Sequence, residues 1–216
     1  MLRHQLLDTS RGRIVSLLRD GPLTADELAS KLKVSASGVR ALITAMERDG
    51  VVRRVGSRPG TTRPARLFEL TADVEQLLSG AYVPLLTQLV DVFAGGLPAD
   101  QLEGLLRKTG RELAGQLTSG RPAASLAGRV QAASRLLNEQ LGAVTHVEEN
   151  GKYVIRGNGC PLSALTGKHA AVCRAMESLV ETLVGAPVHE CCERTGRPLC
   201  SFEIAKPRPG SVRRRA

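Results

Sequence analysis

The sequence is nearly devoid of aromatic residues, with no Trp, two Tyr and three Phe among 216 positions. Its cores must therefore be aliphatic, in a chain long enough for one large domain or two small ones. Long apolar runs are missing too. The longest uncharged stretch, residues 76–90, is too short to cross a bilayer and contains Ser, Gly, Pro, Gln and Thr. Residues 1–10 lack the apolar core and small-residue cleavage site of a secretory signal. The expectation is a cytoplasmic protein with no membrane span, in a compartment where stable disulfides are rare. There is no phosphate-binding glycine loop, no nucleophile elbow and no HExxH. The sequence predicts a binding protein, not an enzyme.

Cysteine is absent from the first 159 residues and then occurs five times within 41: Cys160, Cys173, Cys191, Cys192 and Cys200. An odd count argues against a simple disulfide framework. Gathered thiols suit a soft metal or an iron–sulfur cluster, which needs about four anionic ligands. A redox-active dithiol also fits, and plain burial is the third reading. Structural zinc usually draws on ligand pairs two to four residues apart. The spacings here, twelve residues from Cys160 to Cys173 and seven from Cys192 to Cys200, lack such a knuckle.

Charge is uneven. Residues 1–70 carry 13 basic and 7 acidic side chains, and residues 71–205 carry 12 and 14. Residues 206–216 carry five basic and none acidic. Positive charge at both ends points to nucleic acid as the partner. The last segment is Pro-rich and is expected to be a disordered basic tail.

Residues 1–71 read as one module. Ile14, Leu17 and Leu18 mark a first helix, ended by Asp20-Gly21-Pro22. Thr24 and Glu27 form a capping box opening a second helix through Leu32. Lys33-Val34 is the turn, and Ser35 caps a third helix to about Arg48. Val39, Ile43 and Met46 form its inward stripe; Ser37, Arg40, Ala41 and Thr44 face away. Strands over 51–55 and 65–70 flank a basic loop, 56–64. Three helices and a hairpin are the winged helix-turn-helix plan, in which one helix enters the major groove. The stretch LTADELASKLKVSASGVRALITAMERDGVVRR resembles the helix-turn-helix of ArsR- and DeoR-type bacterial repressors. That resemblance implies Ser35, Ser37, Arg40 and Thr44 as groove contacts, with Arg58 and Arg63 in the wing.

Residues 72–141 read as a helical connector or dimerisation region. Helices are expected at 72–78, 81–93, 100–117 and 127–141, with Gly95-Gly96 stopping the second. Leu85, Leu89 and Val92 share one face of the second helix, and Leu102, Leu105, Leu106 and Leu113 one face of the third. These are ordinary core positions or a surface for a second chain. A homodimer is expected, because two-fold readers match palindromic double-stranded operators.

Residues 142–205 read as an α+β, cysteine-rich sensor. Strands at 143–147 and 152–156 meet at Asn150-Gly151, a strong hairpin signal. A helix over 169–184 carries Cys173. Extended segments at 188–192 and 200–204 place Cys192 and Cys200 on either side of a Gly196/Pro198 turn. The pattern GNGCPL, HAAVC and ECCERTGRPLCSFEI behind a winged helix resembles the SufR-type iron–sulfur regulators, over residues 7–205. The resemblance implies a homodimer with one [4Fe-4S] cluster per subunit that represses cluster-assembly genes. By position it implies Cys160, Cys173 and Cys200 as ligands, with Cys192 preferred and Cys191 the alternate. His169 and His189 are expected at the surface or beside the ligands. The rival reading is a zinc- or thiol-responsive repressor, or a metal-stabilised protein-interaction module.

Overall fold

The computed structural model describes residues 8–59, 64–118, 120 and 122–206. The chain divides into two compact units, Met1–Ala81 and Tyr82–Ala216. Each mixes helices with an antiparallel sheet, an α+β fold. Among the described residues no single helix is long and apolar enough to cross a membrane. The expected basic loop residues 60–63 and the tail residues 207–216 lie outside the described residues.

The first unit runs α1 (Ser10–Leu18), β1 (Leu23–Thr24), α2 (Ala25–Leu32), α3 (Ala36–Arg48), β2 (Val52–Arg58), β3 (Ala65–Leu70) and α4 (Ala72–Leu78). The capping box forms: Glu27 N–H donates to Thr24 Oγ1 at 3.2 Å, and Thr24 N–H donates to the Glu27 carboxylate at 2.8 Å. Lys33 makes the turn in the left-handed region, φ 57°, and Ser35 caps α3 by accepting from Gly38 N–H at 3.2 Å. Ile14, Leu18, Leu28, Val39, Ile43, Met46 and Val52 are buried together. Each such side chain contributes about 1.5–3 kcal/mol over the exposed state.

Two features of the hairpin differ from expectation. β2 runs on through Arg58, because a bulge between Arg54 and Gly56 absorbs one residue and lets pairing resume at Gly56↔Leu67. Gly56, Ser57 and Arg58 are therefore strand and not loop. A third strand, Leu23–Thr24, pairs with Phe68 and Leu67 and gives the order β1-β3-β2. Two residues are too few to show alternation in sequence.

The second unit runs α5 (Tyr82–Gly96), α6 (Ala99–Leu117), α7 (Leu126–Leu141), β4 (Thr145–Asn150), β5 (Lys152–Gly157), α8 (Ser163–Thr166), α9 (Cys173–Val184), β6 (Val188–Glu190) and β7 (Ser201–Ile204). Its sheet has the order β4-β5-β7-β6. Two of the helices expected in the connector, α6 and α7, share the sensor's core: Ala114, Val130, Ala133 and Leu137 pack with Ile155, Leu179, Val180, Phe202 and Ile204. α4 falls in the first unit. α5 continues through Gly95-Gly96, and Pro98 marks the break before α6.

The inward stripe of α6 also differs. Leu105 is exposed, while Gly110 and Ala114 are buried. The cause is the close approach of α9: a methyl group on Gly110 would lie 2.0 Å from the Ala175 carbonyl oxygen and 3.0 Å from Leu179 N. Only a glycine lets the two backbones meet there. Gly110→Ala is therefore expected to destabilise the protein by about 2–3 kcal/mol. Gly104→Ala, on the open side of the same helix, should be neutral or slightly stabilising by helix propensity. Urea unfolding of the two variants checks this.

Candidate nucleic-acid face and metal centre

The outer face of α3 follows from its inward stripe. With Val39, Ile43 and Met46 buried, Ser37, Arg40 and Thr44 are exposed, as is Ser35 at the cap. Each has a local partner. Ser37 Oγ lies 3.3 Å from Ser35 Oγ, and Thr44 Oγ1 donates to the Arg40 carbonyl at 2.9 Å. Arg40 pairs with Asp26 at 2.6 Å, and Arg58 on β2 pairs with Glu27. Arg63 lies outside the described residues. A groove of about 460 Å³ runs beside this face, lined by Arg40, Thr44, Arg54 and Arg66 among others. Arg54 and Arg66 went unremarked in sequence. Both side chains are exposed on the strands and line the groove beside the helix.

In the second unit the cysteines separate into a group and an outlier. Cys173 opens α9 and is 4% exposed. The Cys191 and Cys192 side chains alternate across the chain as it leaves β6. Cys192 Sγ accepts from Ser201 N–H at 3.4 Å, whereas Cys191 is exposed, its thiol 3.7 Å from the His189 carbonyl. The Cys192 thiol interacts with those of both Cys173 and Cys200. Contact with Cys192 and burial push the Cys173 thiol far above its ordinary value. At Cys192 the contact with Cys173 pulls the other way, but Cys200 and burial outweigh it, and that thiol is pushed up too. Cys160 packs against the same core and lines a cleft of about 310 Å³ with Asn158, Gly159, Pro161 and Arg197. Gly157 is buried where a methyl would lie 3.0 Å from Gly159 O and 3.4 Å from Cys200 Cβ, so the loop into Cys160 comes in close.

Sequence reasoning missed two carboxylates. A Glu190 oxygen lies within 4.8 Å of both the Cys173 and Cys192 sulfurs. Its side chain is 3% exposed, accepts from Cys192 N–H at 2.8 Å and pairs with Arg194 at 2.6 Å. Glu177 is buried beside it, paired with Arg107 at 2.9 Å and Arg174 at 3.1 Å, and accepts from Glu190 N–H at 3.0 Å. Both were legible only as acids in a charged stretch. His169 is largely buried and bonded to Asp91 of α5, which also pairs with Lys168 at 2.7 Å. His189 is exposed.

The four thiols Cys160, Cys173, Cys192 and Cys200 are a donor set that suits iron–sulfur ligation, and Cys192 is in reach of both Cys173 and Cys200. The set therefore fits such a group. The DprA winged helix domain profile matches residues 4–57. The first unit is a winged helix. No curated protein matches the chain. Among solved structures, Bacillus subtilis PadR in complex with operator DNA has a TM-score of 0.28 and 15% identity, covering 80% of this chain and 95% of that one.

Burial pushes the Glu177 carboxyl upward. The Glu190 N–H, Arg174 and Arg107 outweigh it and hold the carboxyl below its ordinary 4.5. A depressed carboxyl contributes stability that is present above its ordinary value and lost as pH falls through the folded value. Glu177→Gln should cost about 2 kcal/mol at neutral pH, less than for a fully buried pair because both arginines reach solvent. The gap between variant and wild type should narrow as pH falls below the ordinary 4.5 and close below the lower folded value. Urea melts of both proteins across that range check the sign.

Proposed function

We propose that the chain is a cytoplasmic, DNA-binding transcription repressor, not an enzyme, whose operator affinity is set by a [4Fe-4S] cluster on Cys160, Cys173, Cys192 and Cys200. The observation that carries this is the convergence of Cys173, Cys192 and Cys200 in the unit that follows a winged helix. A bound cluster supplies an oxidant-sensitive tie between four separate points of the chain. Cys173 brings α9 to that tie, Cys192 and Cys200 bring the two sides of the β6–β7 turn, and Cys160 brings the loop after β5. The resemblance to SufR-type regulators makes cluster-assembly genes the regulated set.

The chain's own residues connect the tie to the rest of the molecule. The loop between Cys160 and Cys173 carries Lys168 and His169, which grip Asp91 on α5. Asp91 is the only charged residue of α5. Thr87 and Gln88 apart, the remainder of that helix is largely apolar, and Leu85, Val92 and Phe93 are 60%, 59% and 48% exposed while only Val90 is buried. An apolar, nearly uncharged face with its one carboxylate held within its own unit suits a second copy of the same surface. The homodimer is therefore built on α5, and the loop that bears the ligands holds that helix. DNA control requires that cluster-bound and cluster-free states differ in operator affinity.

On the reading face, the partners of Arg40 and Arg58 are the exposed Asp26 and the half-buried Glu27 of α2, and both arginines are themselves exposed, so phosphate or base edges can replace these partners. Arg40→Ala should weaken operator binding about 10-fold or more and relax base preference. Arg58→Ala should weaken binding to all sequences and reduce the salt slope by about one. Fluorescence anisotropy over a salt series separates the two. Leu85→Glu with Val92→Glu should turn a sedimenting dimer into a folded monomer, and a monomeric wild type would remove the dimer from this reading.

The decisive test is the absorption spectrum, iron and sulfide content of protein purified without oxygen. The expected result is a brown protein with about four irons per chain. Cys192→Ser should lose the colour and Cys191→Ser keep it. A chain that stays colourless after attempted cluster reconstitution sinks the iron–sulfur assignment and leaves a zinc- or thiol-responsive regulator.

A further inference from the structure

The cysteine group contains a smaller constellation that four-thiol ligation does not use. Cys173 Sγ, Cys192 Sγ and a Glu190 carboxylate oxygen all lie within 4.8 Å of one another. Ligands around one tetrahedral ion with metal–sulfur bonds near 2.3 Å stand about 3.8 Å apart. The three donors thus need less than about 1 Å of movement each to share one ion. Cys160 and Cys200 are not part of this group.

We propose that Cys173, Cys192 and Glu190 form a mononuclear divalent-metal site, filled by a borderline-soft ion such as zinc when no cluster is bound. The donor set selects the ion class: two thiolates disfavour magnesium and calcium, and the carboxylate is compatible with zinc, cobalt or ferrous iron. The charges balance. Two thiolates and a carboxylate bring three negative charges to a divalent cation, and Arg194, paired with Glu190 at 2.6 Å and bonded to Cys173, cancels the remainder. A buried site at net neutrality avoids the large cost of an uncompensated charge.

The carboxylate is positioned before any ion arrives. The Cys192 N–H fixes one oxygen of Glu190 at 2.8 Å, and Glu177 fixes the Glu190 backbone through its N–H at 3.0 Å. A carboxylate oxygen has two acceptor directions, so the bond from Cys192 leaves one free for a metal. Three protein ligands leave a fourth position open, the arrangement of exchangeable zinc sites and not of closed structural ones. The site shares two thiols with the cluster reading but does not depend on it. Its consequence for regulation is that the cluster-free protein has a second metal-bound form and not only an empty one.

The test uses the full chain, freed of iron by chelation and kept reduced, titrated with Co²⁺ and then displaced by Zn²⁺. The expected result is one Co²⁺ per chain with tetrahedral bands and a sulfur-to-cobalt charge-transfer intensity equal to two thiolates. Glu190→Gln keeps the side chain's shape and its bond from Cys192. It should weaken Co²⁺ about 10-fold or more with the charge-transfer intensity unchanged. Cys160→Ser, which the cluster reading predicts to be colourless after reconstitution, should bind Co²⁺ as wild type does. Four-thiolate intensity, unchanged affinity in Glu190→Gln, loss of binding in Cys160→Ser or no stoichiometric binding would each overturn the site. None of these outcomes bears on whether the iron-loaded wild type is brown.

Discussion

A carboxylate buried between two arginines is the constraint on which the second unit depends. Glu177 leaves α9 into a nearly solvent-free position, where an unpaired charge would cost several kcal/mol. Arg107 from α6, Arg174 from its own helix and the Glu190 N–H from β6 remove that cost together. Those partners come from three elements, so one side chain fixes α6, α9 and β6 at once. The fixing continues by hydrogen bonds: Glu190 bonds Cys192 N–H and Arg194, and Arg194 reaches Cys173. The thiols are consequently arranged by a polar network and not by apolar packing alone. The glycine at the α6–α9 crossing belongs to the same constraint, because Arg107 reaches Glu177 only if the two helices lie close.

The raised pKa values of Cys173 and Cys192 follow from this placement. Cys192 and burial disfavour a bare thiolate at Cys173, and at Cys192 the lowering contact with Cys173 is outweighed by Cys200 and burial, so the thiols are neutral until a cation displaces their protons. Such thiols are poor nucleophiles, since the thiolate is the reactive form. That weighs against a bare dithiol switch at these two positions. Cys191 is the exception in exposure, and it lies outside the group.

Much of the first unit was legible in sequence because its signals are local. The capping box, the Ser35 cap and the Lys33 turn each span four residues or fewer, and the i, i+4, i+7 stripe of α3 names its own buried face. The second unit was legible in its helices and hairpins but not in its assembly. Nothing in residues 99–117 announces that Gly110, and not Leu105, faces inward, since that depends on the backbone of α9 more than sixty residues later. The two short hairpins were read separately, and the β5–β7 pairing that merges them into one sheet is nonlocal. The preference for Cys192 over Cys191 came from family spacing. What the structure adds is that side chains alternate along an extended segment, which turns Cys191 outward and Cys192 toward Ser201. Glu190 and Glu177 were invisible as site residues because an acid in a charged stretch is ordinarily solvated.

The grip of Lys168 and His169 on Asp91 gives the regulatory reading a physical route. A helix as apolar as α5 has little directional preference of its own, because dispersion and burial are nonspecific in orientation. Its one carboxylate adds a directional tie to the packing of Val90 against Leu165 and Val172, and the residues holding the carboxylate sit on the loop between Cys160 and Cys173. Under the proposed ligation, holding both cysteines at the loop's ends would restrict the loop, and the restricted loop would restrict α5. Loss of the ligated group would loosen both, while the bonds of Glu177 to Arg107, Arg174 and the Glu190 N–H, none of which passes through a ligand sulfur, would still tie α6, α9 and β6 together. The scaffold would then keep its fold while the exposed apolar helix relaxes, which is what a ligand-dependent change in dimer geometry requires.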